Sequence, residues 1–112
     1  MEAPELQNDP LLAEIVRRLV EAYQPERVYL FGSRARGDPG PDSDYDVMVV
    51  VPDTMPATLR RSDRGYRALV GLGFGSATDV LVWTREAFDK RLHFKSSLPS
   101  TILREGRLLH GA

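Results

Sequence analysis

Gly32-Ser33, ten intervening residues and then Asp44-Tyr45-Asp46 place a tight turn with a hydroxyl beside two carboxylates. The glycine lets backbone turn sharply and approach a ligand closely. The Ser33 hydroxyl can donate to a phosphate oxygen, and a helical turn opening near Arg34 would aim backbone N–H groups at an anion. Arg34 and Arg36 add positive charge, with a planar guanidinium fork suited to bidentate phosphate contact. Asp44 and Asp46, two positions apart on a strand, project from one face while Tyr45 projects from the other. Carboxylates that close repel one another unless a cation lies between them. Mg²⁺ suits such a site, because it takes one or two carboxylates, retained waters and phosphate oxygens in preference to a full protein cage. The chemistry written into these residues is metal-assisted phosphoryl or nucleotidyl transfer. Read singly, each half has a plainer explanation: a solvated turn at Gly32-Ser33, and a polar loop punctuated by Pro39, Gly40 and Pro41.

Two-metal transfer calls for a further group beside the attacking oxygen. Asp79, near the start of Ala77-Thr78-Asp79-Val80-Leu81-Val82-Trp83, is the candidate. Asp38, Asp42 and Asp53 fall among Gly, Pro and Ser in turns, and Asp63 falls among arginines on a helix.

The elements that must hold these groups are readable from pattern. Arg27-Val28-Tyr29-Leu30-Phe31 is a run of β-formers ending at Gly32, and Val47 to Val51 is an apolar run closed by Pro52. Residues 77–83 read as a third, buried strand. Ser33 at the end of the first strand meets Asp44 and Asp46 at the start of the second only if those strands are antiparallel. Asp79 joins them only if strands two and three are parallel, which requires a crossover of a dozen or more residues. The segment from Pro56 to Val70 supplies it, and the connection is expected to be right-handed. This crossover helix is expected to turn Leu59, Tyr66, Leu69 and Val70 inward and Arg60, Arg61, Arg64 and Arg67 outward, with Gly65 a weak point and Gly71, Gly73 and Gly75 marking its end.

Asp9 as N-cap and Pro10 at the first helical position start an N-terminal helix with an apolar stripe of Leu11, Leu12, Ile15, Val16, Leu19 and Val20. Thr84 is expected to cap a helix running to about Lys95, anchored by Phe88 and Leu92. A last helix from Leu98 to Glu105 should stop at Gly106. His93 and His110 have no ligand-spaced companions and read as surface residues; Trp83 and Phe94 read as core or interface. The fold class is α/β (α+β): a single domain, 1–112, with a mixed sheet flanked by helices.

Composition narrows the field. The net charge of -1 argues against nucleic acid as the main partner. No cysteine means no disulfide or thiolate site. No apolar run reaches membrane-spanning length and the first residues lack a basic signal-peptide start, so a cytoplasmic protein is expected.

Gly32-Ser33-Arg34-Ala35-Arg36-Gly37, the ten-residue spacing to Asp44-Tyr45-Asp46, and the later Asp79 resemble the nucleotidyltransferase superfamily typified by DNA polymerase beta. More narrowly, the chain resembles the minimal nucleotidyltransferase (MNT) family, from about Arg27 to the 103–109 tail. The resemblance implies that Asp44 and Asp46 hold Mg²⁺, that Ser33 contacts nucleotide phosphate, and that Asp79 completes the metal site. It implies ATP as the substrate. It also implies a partner, because members are commonly encoded beside all-helical HEPN toxins and act as antitoxins by adding AMP to a toxin tyrosine. A competing reading is a binding module that neutralises its partner by covering it; transfer to a small molecule is a third.

Overall fold

Val47 to Val51 form the centre of the molecule, because every residue of that run is buried. A strand with apolar groups on both faces must be covered on both faces, and the rest of the chain does this. The computed structural model describes residues 4–37, 44–72 and 77–111. The turn expected around Pro39, Gly40 and Pro41, with Asp38 and Asp42, and the glycines Gly73 and Gly75 lie outside them.

The described elements are α1 (Pro4–Asn8), α2 (Pro10–Tyr23), β1 (Arg27–Phe31), α3 (Ser33–Arg36), β2 (Tyr45–Val51), α4 (Ser62–Ala68), β3 (Thr78–Thr84), α5 (Arg85–Asp89), α6 (Leu98–Glu105) and β4 (Arg107–His110). The four strands form one mixed sheet in the order β3-β2-β1-β4. β1 is antiparallel to β2 and to β4, whereas β2 and β3 are parallel. The strand directions required to gather the site residues are therefore the ones present.

Odd-numbered β2 residues (Tyr45, Val47, Val49, Val51) share a core with Leu12, Ile15, Val16, Leu19 and Tyr23 of α2. Met48 and Val50, on the other face, pack with Tyr29, Phe88 of α5 and Ile102 of α6. α2 begins as its sequence dictates: the Asp9 carboxylate accepts from Leu12 N at 3.0 Å, and Pro10 occupies the first turn. α6 spans Leu98–Glu105 and ends at Gly106. Among the described residues no helix is long and apolar enough to cross a membrane.

Three expectations need correction. β3 is an edge strand in which only Val80 is buried, since among the described residues no strand lies beyond it in the sheet. The helix capped by Thr84 is one short element, Arg85–Asp89, followed by turns through Lys95; Phe88 is buried but Leu92 only partly so. Phe94 is exposed. The tail after Gly106 is a fourth strand, too short for its alternation of Leu108 out and Leu109 in to stand out in sequence.

The crossover differs most. Its helix covers only Ser62–Ala68, and Leu59, Tyr66 and Val70 are exposed, while Gly65 is its buried residue. The helix approaches α2 so closely that a β-carbon at Gly65 would lie 3.1 Å from Leu19 Cδ2, Tyr23 Oη and Val80 Cγ1. Gly65 and Leu69 therefore face inward and Val70 faces out, whereas Tyr66, though exposed, reaches β3 with its hydroxyl, which accepts from Val80 N at 3.1 Å. The contact is sealed by Tyr23, whose hydroxyl accepts from Gly65 N at 2.6 Å and donates to the Arg61 carbonyl. Tyr23→Phe leaves that buried N–H without a partner, and is expected to cost about 1–3 kcal/mol. Urea unfolding checks this: a change of less than a few tenths would mean that α4 is not held by this bond.

Candidate active site

The parallel pairing of β2 with β3 sets Asp46 directly opposite Asp79, and the antiparallel pairing of β1 with β2 sets Phe31 opposite Asp46. Gly32 and Ser33, next in the chain after Phe31, consequently sit beside the Asp46 carboxylate. All four positions lie at one end of the sheet. Asp46 is half-buried, whereas Asp44 and Asp79 are exposed.

Glycine at position 32 is required on two counts. Its φ of +77° lies in the left-handed half of conformational space, and a β-carbon there would overlap a carboxylate oxygen of Asp46. The Gly32 carbonyl then accepts from Ala35 N and Arg36 N, each at 3.1 Å, which closes the single turn of α3. Those two N–H groups are committed to the helix rather than to an anion. Gly37, at φ +83°, has open space where its β-carbon would be. Gly32→Ala is expected to cost about 1–3 kcal/mol in backbone strain and overlap. Gly37→Ala should cost about 1 kcal/mol less. Paired urea titrations measure the difference; equal losses would mean the Asp46 contact is not restrictive.

The electrostatics match the crowding. Burial, then the neighbouring Asp79 and Asp44 carboxylates, raise the proton affinity of Asp46, and a hydrogen bond with Asp79 adds to this; Arg36 pulls the other way. Asp46 and Asp79 thus crowd together where a cation could stand. Among the described residues no three acidic or histidine side chains form a ready-made cation cage. A pair of crowded carboxylates with an exposed third nearby in sequence still fits Mg²⁺, which completes its octahedron with water and phosphate oxygens.

The two candidate arginines diverge. Arg36 is exposed and close enough to Asp46 to stabilise its charge. Arg34 lies over the ring of Tyr45, its guanidinium carbon 4.1 Å from the centroid. Tyr45, buried, donates its hydroxyl to Asp9 Oδ2 at 2.8 Å. Burial and the hydrogen bond to the charged Asp9 push the Tyr45 hydroxyl up to about 12, against the opposing influence of Arg34. At neutral pH it is a fixed donor. Asp9 is legible in sequence only as a helix cap, and no local signal announces a partner 36 residues away.

A mixed sheet that aligns carboxylates across neighbouring parallel strands, beside a glycine-serine turn, defines an α+β domain built to handle a phosphate-bearing substrate. The nucleotidyltransferase domain model matches residues 12–109. The chain belongs to this nucleotidyltransferase domain family. It is 28% identical, over 107 residues covering 94% of this chain and 100% of the relative, to a protein of Methanocaldococcus jannaschii named as a candidate protein adenylyltransferase. A crystal structure of a candidate nucleotidyltransferase from Sulfolobus solfataricus superposes with a TM-score of 0.54 at 31% identity, covering 72% of this chain and 70% of that one. The fold also recurs, at 18% identity and a TM-score of 0.50 over 91% of this chain and 73% of the other, in the complex of the tri-AMPylated Shewanella oneidensis HEPN toxin with MNT antitoxin.

Proposed function

We propose that this domain transfers AMP from ATP to a hydroxyl, a tyrosine hydroxyl in the first instance, of a HEPN-type partner and thereby acts as the antitoxin of the pair. The observation that carries the reading is the Asp46–Asp79 register, with Gly32 seated against Asp46 at the same sheet end. The adenylyltransferase name of the archaeal relative and the AMP groups on the Shewanella toxin support the choice of AMP and of a protein acceptor.

Asp44, Asp46 and Asp79 would hold Mg²⁺, two ions in the full assembly. When bound, these ions supply the charge neutralisation that lets a triphosphate approach carboxylates and stabilise charge on the entering and leaving oxygens. Ser33 donates to a phosphate oxygen and Arg36 neutralises triphosphate charge, holding the α-phosphorus in line with the acceptor. Asp79 receives the proton as the acceptor oxygen bonds to the α-phosphorus. The bond from that phosphorus to the α,β-bridging oxygen breaks, and pyrophosphate leaves. The reacting phosphorus is the α one, which separates this chemistry from that of a kinase.

The test is intact-mass spectrometry of a HEPN-type partner incubated with this chain, ATP and Mg²⁺, beside an Asp44→Ala, Asp46→Ala control. Mass gains in whole AMP units that vanish in the control are expected. Transfer by the control would move the site elsewhere; a stable complex with no gain from the wild type would replace catalysis with neutralisation by binding.

A further inference from the structure

Tyr45 lies between Asp44 and Asp46 in sequence, yet its side chain enters the opposite core, with α2. Three elements meet on it. Its ring lies under Arg34 of α3, its backbone carries the carboxylates of β2, and its hydroxyl is bonded to Asp9, which at the same time caps α2 through Leu12 N. α3 is a single turn, Ser33–Arg36, and a turn that short has little stability of its own. What holds it is the seat of Gly32 on Asp46, the burial of Ala35, and Arg34 on the Tyr45 ring. Arg34 follows Ser33 directly, so its anchorage fixes where the Ser33 hydroxyl stands relative to the carboxylates.

We propose that Arg34 is a positioning residue, acting through Tyr45, with Asp9 as the far anchor, to hold the glycine-serine turn in register with the carboxylates. Its cation serves the protein's own geometry, whereas Arg36, exposed beside Asp46, is the arginine proposed to meet the triphosphate. The inference rests on the proposed nucleotidyl transfer for its kinetic readout only.

The full chain, ATP, Mg²⁺ and the HEPN-type acceptor form the assay. Arg34→Ala is expected to lower the rate at saturating ATP by about 10- to 100-fold, the scale on which small misplacements of reacting groups are felt. The KM for ATP should change by less than about threefold, because no phosphate contact is removed. Added to Tyr45→Leu, the same change should cost less than about twofold, since the partner through which it acts is already gone. A KM raised tenfold with kcat unchanged, or losses that multiply in the double variant, would overturn the proposal and return Arg34 to the triphosphate. Tyr45→Phe guards against a misfolded leucine variant: the ring remains, so Arg34→Ala must still cost about tenfold in that background.

A second readout needs no turnover. In NMR spectra of the chain alone, the Arg34 δ-methylene protons should be shifted upfield by the Tyr45 ring. Their absence from that position sinks the clamp. An upfield shift in a wild type that transfers no AMP would keep the clamp and remove the functional reading instead.

Discussion

Asp46→Asn should abolish transfer and at the same time leave the protein more stable at neutral pH than the wild type, when both are compared in EDTA. The loss of rate is expected to be about 10²–10³-fold or more, the effect of deleting one electrostatic group at a reacting centre. The gain in stability follows from the crowding of Asp46. Burial and the charges of Asp79 and Asp44 raise its folded-state proton affinity above the unfolded reference of 3.8. A carboxyl whose pKa is raised on folding destabilises the fold while ionised. That penalty is fully present above the folded pKa, shrinks as pH falls through it, and is gone below the unfolded value. Stability of the wild type should therefore rise relative to Asp46→Asn as the solution is acidified from neutrality toward pH 3.8. Thermal unfolding of both proteins across that range provides the difference curve. A flat curve would mean that Asp46 titrates as it does in the unfolded chain, and undiminished transfer by the variant would remove it from the metal site.

Phe88→Ala is the largest single loss of stability to expect, about 3–5 kcal/mol. Phe88 is wholly buried and stacks on Tyr29 of β1, centroids 5.4 Å apart and planes 6° from parallel. The Arg27 guanidinium carbon lies 5.2 Å from the Phe88 centroid, and Arg27 Nη2 donates at 2.9 Å to Oδ1 of Asp89, the next residue of α5. One aromatic ring thus pins α5 to the face of the sheet that carries Asp46. Small domains have about 5–15 kcal/mol in total, so the variant should unfold at a much lower urea concentration with an unchanged m-value. A loss under about 1 kcal/mol would show that the surrounding side chains close the space left by the ring.

The strands that carry the site were legible because their signals are local and redundant. Val28 to Phe31 and Val47 to Val51 are apolar runs that end at Gly32 and Pro52, and the motif residues themselves demand particular strand directions. Asp9 and Pro10 announce α2, and Gly106 closes α6, because capping depends on residues within a turn of the end. What was illegible depends on distant partners. Leu59, Tyr66 and Val70 look like a core stripe until α4 meets Tyr23, after which closeness of approach, possible only at Gly65, decides which side faces in. β3 reads as buried by composition, and only the order of strands makes it an edge. Arg34 is read as a nucleotide-binding residue because it follows Ser33, and its stacking on the Tyr45 ring could not be foreseen from the sequence. For the site, the gathering of the carboxylates and the turn at one sheet end could be read from spacing; the different surroundings of Arg34 and Arg36 could not.

β2 is both the most deeply buried strand and the bearer of Asp46, the one residue of that strand that is not fully enclosed. The Asp46 carboxylate is thereby mounted on the most enclosed strand, the kind of element that is last to come loose when a protein fluctuates. Damage to the interior and loss of chemistry become the same event: a copy whose valines no longer pack cannot keep its carboxylate aimed. An error in synthesis or a heat-damaged molecule would lose its arrangement of carboxylates together with its packing, so the architecture acts as its own fail-safe.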